Sequence, residues 1–208
     1  MSNQNNNEKL ASNKQIDKTA SSLRANGINV TVVANGYEAK AKVLELIPNG
    51  AEVMTASSTT LIQLGLDEIL NNSSNYNSVK SQLLKLNRDV DSLKMQKIGA
   101  APEYVAGSVH AVTEDGKVMI ASGSGSQLPS YSYGSPNVIW VVSTKKIVKD
   151  TGEGLKRIYD HVLPQEDNRM KKVYGPDASS EVRKLLIINK EINPTRLNMI
   201  LVKENLGF

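Results

Sequence analysis

The first third of the chain alternates between segments whose apolar residues have helical spacing and segments with extended spacing. Helical spacing covers residues 16–23, an extended run follows at 28–34, and the same order recurs as a helix at 37–47 and a strand at 51–55. A third helix is predicted over 57–70. Because strand and helix alternate in units of about 25 residues, the pattern predicts right-handed crossovers and a parallel sheet. The apolar positions assigned to the inner faces of the second and third helices include Tyr37, Ile62, Leu66, Ile69 and Leu70.

The middle of the chain predicts a longer helix followed by a hairpin. Helical spacing extends over residues 79–100. Two extended runs, Val105–Thr113 and Val118–Ala121, flank Asp115-Gly116, a dipeptide typical of tight hairpin turns. A nearly uninterrupted apolar strand, Val138–Val142, comes after the hairpin. The core positions predicted for the long helix are Leu83, Leu84, Leu86, Val90 and Leu93.

The last third predicts one helix and two strands. The helix covers residues 155–162 and is expected to end at Pro164, while the strands cover 185–189 and 198–203 with a turn at Asn193-Pro194 between them. Together the elements predict one three-layer α/β domain with a mostly parallel sheet and an antiparallel hairpin.

The length of 208 residues is typical of a single domain. Residues 1–14 are predicted to form a polar tail and residues 15–208 the domain. The tail lacks the apolar centre of a secretory signal, and no segment approaches the roughly eighteen apolar residues of a membrane span. These features predict a cytoplasmic protein without a membrane span.

Charge and cysteine content limit the kinds of ligand, partner and cofactor that are expected. The net charge of +4 comes from cations scattered among carboxylates, a pattern that favours anionic ligands weakly and predicts no nucleic acid partner. The chain has no cysteine, so it supplies no thiolate for zinc or for an iron–sulfur cluster. We therefore expect no intrinsic metal or cofactor, and any electron-transfer centre would belong to a partner.

Three polar loops follow predicted strands, the position at which open α/β sheets bind ligands. The first loop opens a helix, so its amides and hydroxyls suit a small anion such as a carboxylate or phosphate. The same side chains also suit simple capping of that helix, and the sequence leaves both roles open. This loop consists of Ser57, Ser58, Thr59 and Thr60.

The second loop alternates glycine with serine, which allows its backbone to approach a ligand closely. It lacks the lysine of a nucleotide-binding P-loop, and a flexible turn is the alternative interpretation. We expect it to meet the first loop at one pocket. Its proposed ligand-binding residues are Gly123, Ser124, Gly125, Ser126 and Gln127.

The third loop, Ser143–Lys146, directly follows the apolar strand. Lys146 is predicted at the rim of the same pocket, where its ammonium group would pair with a phosphate or carboxylate. The alternative is that Lys145 and Lys146 form a solvated surface pair.

Catalytic candidates are few. Glu114 could act as a nucleophilic or proton-transferring carboxylate, but its place beside the hairpin turn favours a solvent-exposed turn residue. His110 is expected to be a hydrogen-bonded structural histidine, and His161 has no metal-ligand pattern around it.

Several of these segments also agree in order and spacing with a known family. Taken together they resemble the LUD, or lactate-utilization, domain over nearly the whole chain. The segments that carry the resemblance are Ser57–Thr60, Gln63–Leu66, Ala111–Gly116, the Gly-x-Gly at 123–125, Val138–Val142 and Lys146–Val148.

The resemblance implies both a fold and a role. The family belongs with ribose-phosphate isomerase, glucosamine-phosphate deaminase and the coenzyme A transferases, whose domains are three-layer α/β/α structures. It implies a part in oxidising L-lactate to pyruvate beside iron–sulfur partner subunits.

Three functional hypotheses therefore stand. The leading one is an accessory or ligand-binding LUD-domain subunit in organic-acid metabolism. The enzyme alternative is a coenzyme A or acyl transferase, or a sugar-phosphate isomerase, with Glu114 as the carboxylate and Gly123–Gln127 as an anion cradle. The third is a regulatory α/β domain that binds protein partners.

Overall fold

The computed structural model describes residues 7–208, so the first six residues of the predicted tail lie outside the described part. In that part the chain forms ten strands and eight α-helices. The strands are β1 (Asn29–Val33), β2 (Glu52–Thr55), β3 (Asn77–Ser78), β4 (Tyr104–Gly107), β5 (Ala111–Thr113), β6 (Val118–Ser122), β7 (Asn137–Ser143), β8 (Ile147–Val148), β9 (Lys184–Ile188) and β10 (Leu197–Val202). The helices are α1 (Asn13–Ala25), α2 (Gly36–Leu46), α3 (Thr59–Gln63), α4 (Leu66–Asn72), α5 (Val79–Leu83), α6 (Arg88–Ala100), α7 (Thr151–Arg157) and α8 (Leu163–Tyr174).

The main sheet is parallel and has the strand order β1-β10-β7-β4-β2-β3. Strand β7 lies at its centre, with Val138 opposite Val105 of β4 and Trp140 opposite Met199 of β10. Residues 138–142 are buried on both faces, which explains why this strand shows no alternation of polar and apolar residues.

A second, four-stranded sheet has the order β8-β5-β6-β9. The predicted hairpin is confirmed, because β5 and β6 pair antiparallel on either side of the turn at Asp115-Gly116. Strand β9 pairs antiparallel with β6, and β8 pairs parallel with β5. The predicted α/β class is therefore correct, with its antiparallel part in a separate sheet.

The two sheets and the helices form successive layers. Helices α2, α3 and α4 cover one face of the main sheet through Val43, Leu61 and Leu70. The second sheet and α1 cover the other face, and Val112 and Ile120 pack there with Trp140. On the outer face of the second sheet, Ile158, which directly follows α7, packs against Met119 of β6.

Two predicted elements are divided in the structure. The run 105–113 is not one strand, because β4 ends at Gly107 in the main sheet and β5 begins at Ala111 in the second sheet. A side chain at position 107 would collide with the hydroxyl of Tyr131, so the close approach requires glycine. The helix predicted over 57–70 breaks at Gly65, whose φ of 66° lies in the left-handed region.

The predicted inner faces contain errors. Tyr37 and Ile62 are exposed rather than buried. The helix predicted over 79–100 divides into α5 and α6. Its assigned core residues Leu84, Val90 and Leu93 are exposed, and Leu83 and Ile98 are the residues of this region that pack against the core.

Pro164 does not end the final helix. The residues 158–162 form a wide π-helical turn between α7 and α8, and Pro164 lies in the first turn of α8. A proline is tolerated there because its missing N–H and fixed φ suit the start of a helix.

Candidate functional site

The candidate site lies at the carboxyl edge of the main sheet, where parallel strands place their following loops together. The loop after β4 contributes Ser108, the loop after β7 contributes Lys145 and Lys146, and the segment after β10 contributes Asn205 and Gly207. Three side chains define what we call the cationic cluster: Lys145, Lys146 and Arg157.

The ammonium group of Lys146 is buried among neutral oxygens. Lys146 is only 3% exposed. Its Nζ donates hydrogen bonds to Ser108 Oγ and the Val109 carbonyl oxygen, each 3.1 Å away. Ser108 Oγ in turn lies 3.5 Å from Thr60 Oγ1. Within residues 7–208, no carboxylate forms an ion pair with Lys146.

Lys145 is equally buried but has a carboxylate partner. Its Nζ lies 2.7 Å from Glu8 Oε2 and 2.7 Å from the Gly207 carbonyl oxygen, and it also donates to Asn205 Oδ1. The alternative of a solvated lysine pair is therefore wrong. Both lysines lie in the short helical turn that follows β7, and both are buried there.

Arg157 closes the cluster from the end of α7. It is 2% exposed, and its Nε donates to the His110 carbonyl oxygen over 3.1 Å while its Nη1 donates to the Asn7 carbonyl oxygen over 3.1 Å. Its Nη2 is buried and has no hydrogen-bond partner among the described residues. An unsatisfied cationic donor of this kind is costly, which makes it a natural contact for an anion.

Burial and mutual repulsion shift the charges of the cluster. Burial, with the nearby Arg157 and Lys145 cations, lowers the pKa of Lys146 to about 7. Burial, with Lys146 and Arg157, lowers the pKa of His110 to about 3, so this histidine is neutral near pH 7. Its Nδ1 accepts a hydrogen bond from the Ala121 amide over 3.1 Å, as expected of a structural histidine.

Glu8 is the one carboxylate that forms ion pairs in this region of the described chain. Besides Lys145, it lies 3.1 Å from His161 Nε2. Burial alone would raise the pKa of Glu8, but hydrogen bonds from Lys145 and Asn205 outweigh that effect and lower it. Burial and the Arg157 cation lower the pKa of His161, so its imidazole adds little charge near pH 7. Of the three basic side chains of the cluster, Lys145 is therefore the one that is ion-paired with a carboxylate among the described residues.

The first predicted loop has one residue within this network. Thr60 contacts the Ser108–Lys146 pair, and position 207 lies directly against Thr60. Ser58 caps α3 by accepting a hydrogen bond from the Leu61 amide over 3.3 Å, so capping accounts for this side chain. The structure gives Ser57 and Thr59 no side-chain hydrogen bond among the described residues, and their role as ligand contacts stays a prediction.

The glycine–serine loop, Ser122–Gln127, follows β6 of the second sheet, and its polar groups are engaged locally. Ser122 Oγ accepts from the Gly125 amide over 2.8 Å and donates to Gln127 Oε1 over 3.0 Å. Lys184 of β9 donates to the Ser124 carbonyl oxygen over 2.6 Å. The hydrogen bonds of this loop connect it to β9 rather than to the first loop, and the shared pocket stays a prediction.

Glu114 lies at the hairpin but not free in solvent. Its carboxylate accepts from Lys18 over 2.8 Å and from Gln15 over 3.2 Å, both on α1. Hydrogen bonds from Lys18 and Gln15 lower the pKa of Glu114. An ion-paired carboxylate of low pKa is a poor proton donor, and its role as a catalytic group stays a prediction.

Sequence reasoning identified Lys146 but missed most of its surroundings. The apolar strand before the lysine pair was a signal that both would be buried. Arg157 lies between apolar helix positions without any motif, and Glu8 lies in a polar segment more than 130 residues away from Lys145 in the chain. No local pattern predicts such contacts.

Comparison with known proteins shows the family of the chain. Residues 16–202 match the family model described as the LUD domain, so the chain belongs to the LUD domain family. No curated protein matches the chain.

Two solved structures are similar in fold. One is a DUF162 family protein from Deinococcus radiodurans, with 14% sequence identity, a TM-score of 0.59 and coverage of 93% of this chain and 99% of that chain. The other is eIF2B beta from Chaetomium thermophilum, with 15% identity, a TM-score of 0.39 and coverage of 57% of this chain and 44% of that chain. The first similarity supports the α/β fold. Among residues 7–208, no helix is long and apolar enough to cross a membrane.

Proposed function

We propose that this LUD-domain protein is a ligand-binding subunit in L-lactate utilization that binds a small carboxylate at the cationic cluster. The observation that carries the proposal is the buried Nη2 of Arg157, which has no hydrogen-bond partner among the described residues and lies in the same cluster as Lys145. A buried cationic donor without a partner is costly, so an anion that reaches this Nη2 would be stabilising.

The ligand's carboxylate has a defined place in this proposal. It would replace Glu8 at Lys145 and accept a hydrogen bond from the free Nη2 of Arg157. A guanidinium group and an ammonium group on either side of one carboxylate form a strong, orienting contact. Lactate and pyruvate both carry this carboxylate, in agreement with the role that the family name suggests.

The electrons released by lactate oxidation need a separate acceptor. The chain has no cysteine to bind an iron–sulfur cluster, so in this proposal a cysteine-rich partner subunit holds the redox centre. Genes for such subunits beside the gene of this protein would support the partnership. The proposed compartment is the cytoplasm.

The test is ligand-dependent thermal stability. Millimolar L-lactate, pyruvate and acetate should each raise the Tm of the full chain, because a ligand bound only to the folded state stabilises it. Arg157→Gln should abolish the shift, whereas the matched control Arg169→Gln, which removes a guanidinium paired with Glu166 on α8, should keep it.

Two results would contradict the proposal. One is a Tm that no carboxylate changes, and the other is a shift that survives Arg157→Gln. Sugar phosphates and acetyl-coenzyme A belong in the same screen, since a response to them alone would favour the isomerase or transferase alternative.

A protein-binding role is the second candidate. The exposed side chains of Val90 and Leu93 lie together on α6, and that of Leu84 just after α5 is also exposed. Surfaces of this kind commonly mark protein contacts. An absence of any anion response would favour this candidate.

A further inference from the structure

We propose that Lys146 forms an imine with a 2-oxo acid bound at the cationic cluster. This proposal rests on the carboxylate-binding function proposed above and adds a covalent step to it. It assigns different tasks to the two adjacent lysines: Lys145 holds the carboxylate of the ligand, and Lys146 attacks the neighbouring carbonyl carbon.

The two lysines differ in their partners although they are consecutive in sequence. Lys145 is ion-paired with Glu8, so its lone pair is engaged by a proton. Within residues 7–208, the hydrogen bonds of Lys146 Nζ go to the hydroxyl of Ser108 and the carbonyl of Val109. An amine without a carboxylate partner, held in the interior, is the arrangement that favours the neutral nucleophile.

The charged groups around Lys146 favour the same state. Arg157 on α7 and Lys145 repel a proton on its Nζ, while His110, on the segment between β4 and β5, is neutral near pH 7. Glu8 is paired with Lys145 and not with Lys146. With a pKa of about 7, a substantial share of Lys146 is unprotonated at neutral pH.

The Nζ atoms of Lys145 and Lys146 both lie next to Gly207, an arrangement that suits a ligand with adjacent carboxylate and carbonyl groups. Lys145 Nζ lies 2.7 Å from the Gly207 carbonyl oxygen, and Lys146 Nζ lies 3.3 Å from where a side-chain carbon of residue 207 would be. A 2-oxo acid places its carbonyl carbon next to its carboxylate. A 2-oxo acid that takes the place of residue 207 between the two Nζ atoms would therefore reach both lysines.

Access requires the displacement of two short segments rather than of a sheet. Residues 7 and 8 cover Arg157 and Lys145, and residues 205–207 cover the lysines from the other side. The incoming carboxylate compensates for the lost ion pair of Glu8, because it supplies the same charge to Lys145.

The step is balanced without an oxidant or reductant. The lone pair of the neutral Nζ forms a bond to the carbonyl carbon, and the π electrons move to the oxygen, which takes up the proton that the now positively charged nitrogen releases. Ser108, whose Oγ lies 3.1 Å from Nζ, is placed to relay that proton. The carbinolamine then loses water as the nitrogen lone pair forms the C=N bond.

Reductive trapping on the full chain tests the proposal. The protein is incubated with pyruvate and cyanoborohydride, which reduces an imine to a stable secondary amine, and is then digested and mapped by mass spectrometry. We expect the adduct at Lys146 to exceed that at any other lysine by about ten-fold or more, and to increase from pH 6 to pH 8. L-Lactate has no carbonyl group and should give no adduct.

The outcomes separate this proposal from the function on which it rests. Stabilisation by pyruvate with adducts spread evenly over exposed lysines would overturn the imine and leave carboxylate binding intact. A Tm that neither pyruvate nor lactate changes would overturn carboxylate binding. The other lysines of the same molecule are the internal control, so the result does not depend on whether Lys146→Met folds.

Discussion

The cationic cluster and the glycine–serine loop make opposite use of polar residues. The lysines of the cluster and the loop each follow a strand, and the sequence predicts ligand binding at Lys146 and at the loop. In the loop, Ser122 satisfies the Gly125 amide and Gln127, so its polar groups are already paired with one another. In the cluster, Arg157 keeps a donor without a partner and Lys146 has no counter-ion among the described residues.

The comparison shows that residue composition is a weaker guide to a site than unbalanced charge. Glycine and serine allow a backbone to approach a ligand, but here the same freedom lets the loop satisfy itself. Lysine and arginine side chains held inside a sheet edge cannot do so. We therefore expect ligand-dependent behaviour at the cluster and local, ligand-independent behaviour at the loop.

The largest expected effect is a change with pH in the difference in unfolding free energy between the wild type and Lys146→Met. At pH 6 this lysine is protonated in the folded and unfolded states alike. Between about pH 7 and 10 the folded state releases the proton while the unfolded chain keeps it, so wild-type stability rises relative to the variant. The difference in unfolding free energy should change by about 2–4 kcal/mol from pH 6 to pH 10, measured by urea denaturation.

The matched control is Lys184→Met, which removes the exposed lysine that contacts the glycine–serine loop. It takes no charge out of the interior, so its stability difference should be nearly constant over the same range. Parallel pH profiles for the two variants would contradict the charge assigned to Lys146.

Glu8→Gln comes next in size. Breaking a fully buried ion pair costs about 3–5 kcal/mol, but the Glu8 side chain is 43% exposed, so a loss of about 1–2 kcal/mol is expected without added anion. Acetate or pyruvate should then raise the Tm of this variant more than that of wild type, because the internal competitor is gone.

The control for Glu8 is Glu181→Gln near the other loop. Glu181 pairs with Arg183 at 2.8 Å on an exposed surface, so its removal should cost less than about 0.5 kcal/mol and leave the anion response unchanged. If both variants respond to anions as wild type does, Glu8 does not occupy the ligand position.

Ser122→Ala tests the loop directly. It removes the partner of the Gly125 amide and of Gln127, which should cost about 1 kcal/mol. The Tm shift with carboxylates should stay at its wild-type size, since the loop is not part of the cluster. Loss of that shift would show that the loop and the cluster form one ligand site, contrary to the separate roles assigned to them here.

Glu114→Gln should have the smallest effect. Its partner Lys18 is 62% exposed at the side chain, and exposed ion pairs contribute about 0.5 kcal/mol or less. We expect unchanged carboxylate binding in the same Tm measurement. Exchange of coenzyme A between carboxylic acids by the wild-type protein, lost in this variant, would instead establish the transferase alternative.

Local pattern predicts most of this fold. The Asp115-Gly116 turn and the apolar run 138–142 led directly to the hairpin and to the central strand. The division of 105–113 was not predictable in this way, because residues 105–107 of β4 and all of β5 are buried, so the apolar pattern on the two sides of the break is the same. Exposure of Leu93 was equally hidden, since helical spacing does not tell whether an apolar face has a partner.

The site was less predictable than the fold for the same reason. Lys146 follows a strand whose burial is evident from sequence, which gave it a place at the sheet edge. Glu8 and Arg157 reach that edge from distant parts of the chain and carry no motif. Only the assembled structure shows that Glu8 pairs with Lys145 while Lys146 and Arg157 have no carboxylate partner among the described residues.

The position of the cluster has a mechanical consequence. Among the described strands the chain passes between the two sheets four times, and two of these passages, 108–110 and 144–146, run through the cluster. An anion bound there contacts both passages at once. Its binding free energy then adds to the free energy needed to separate the two sheets, so the ligand stabilises the packing of one sheet on the other.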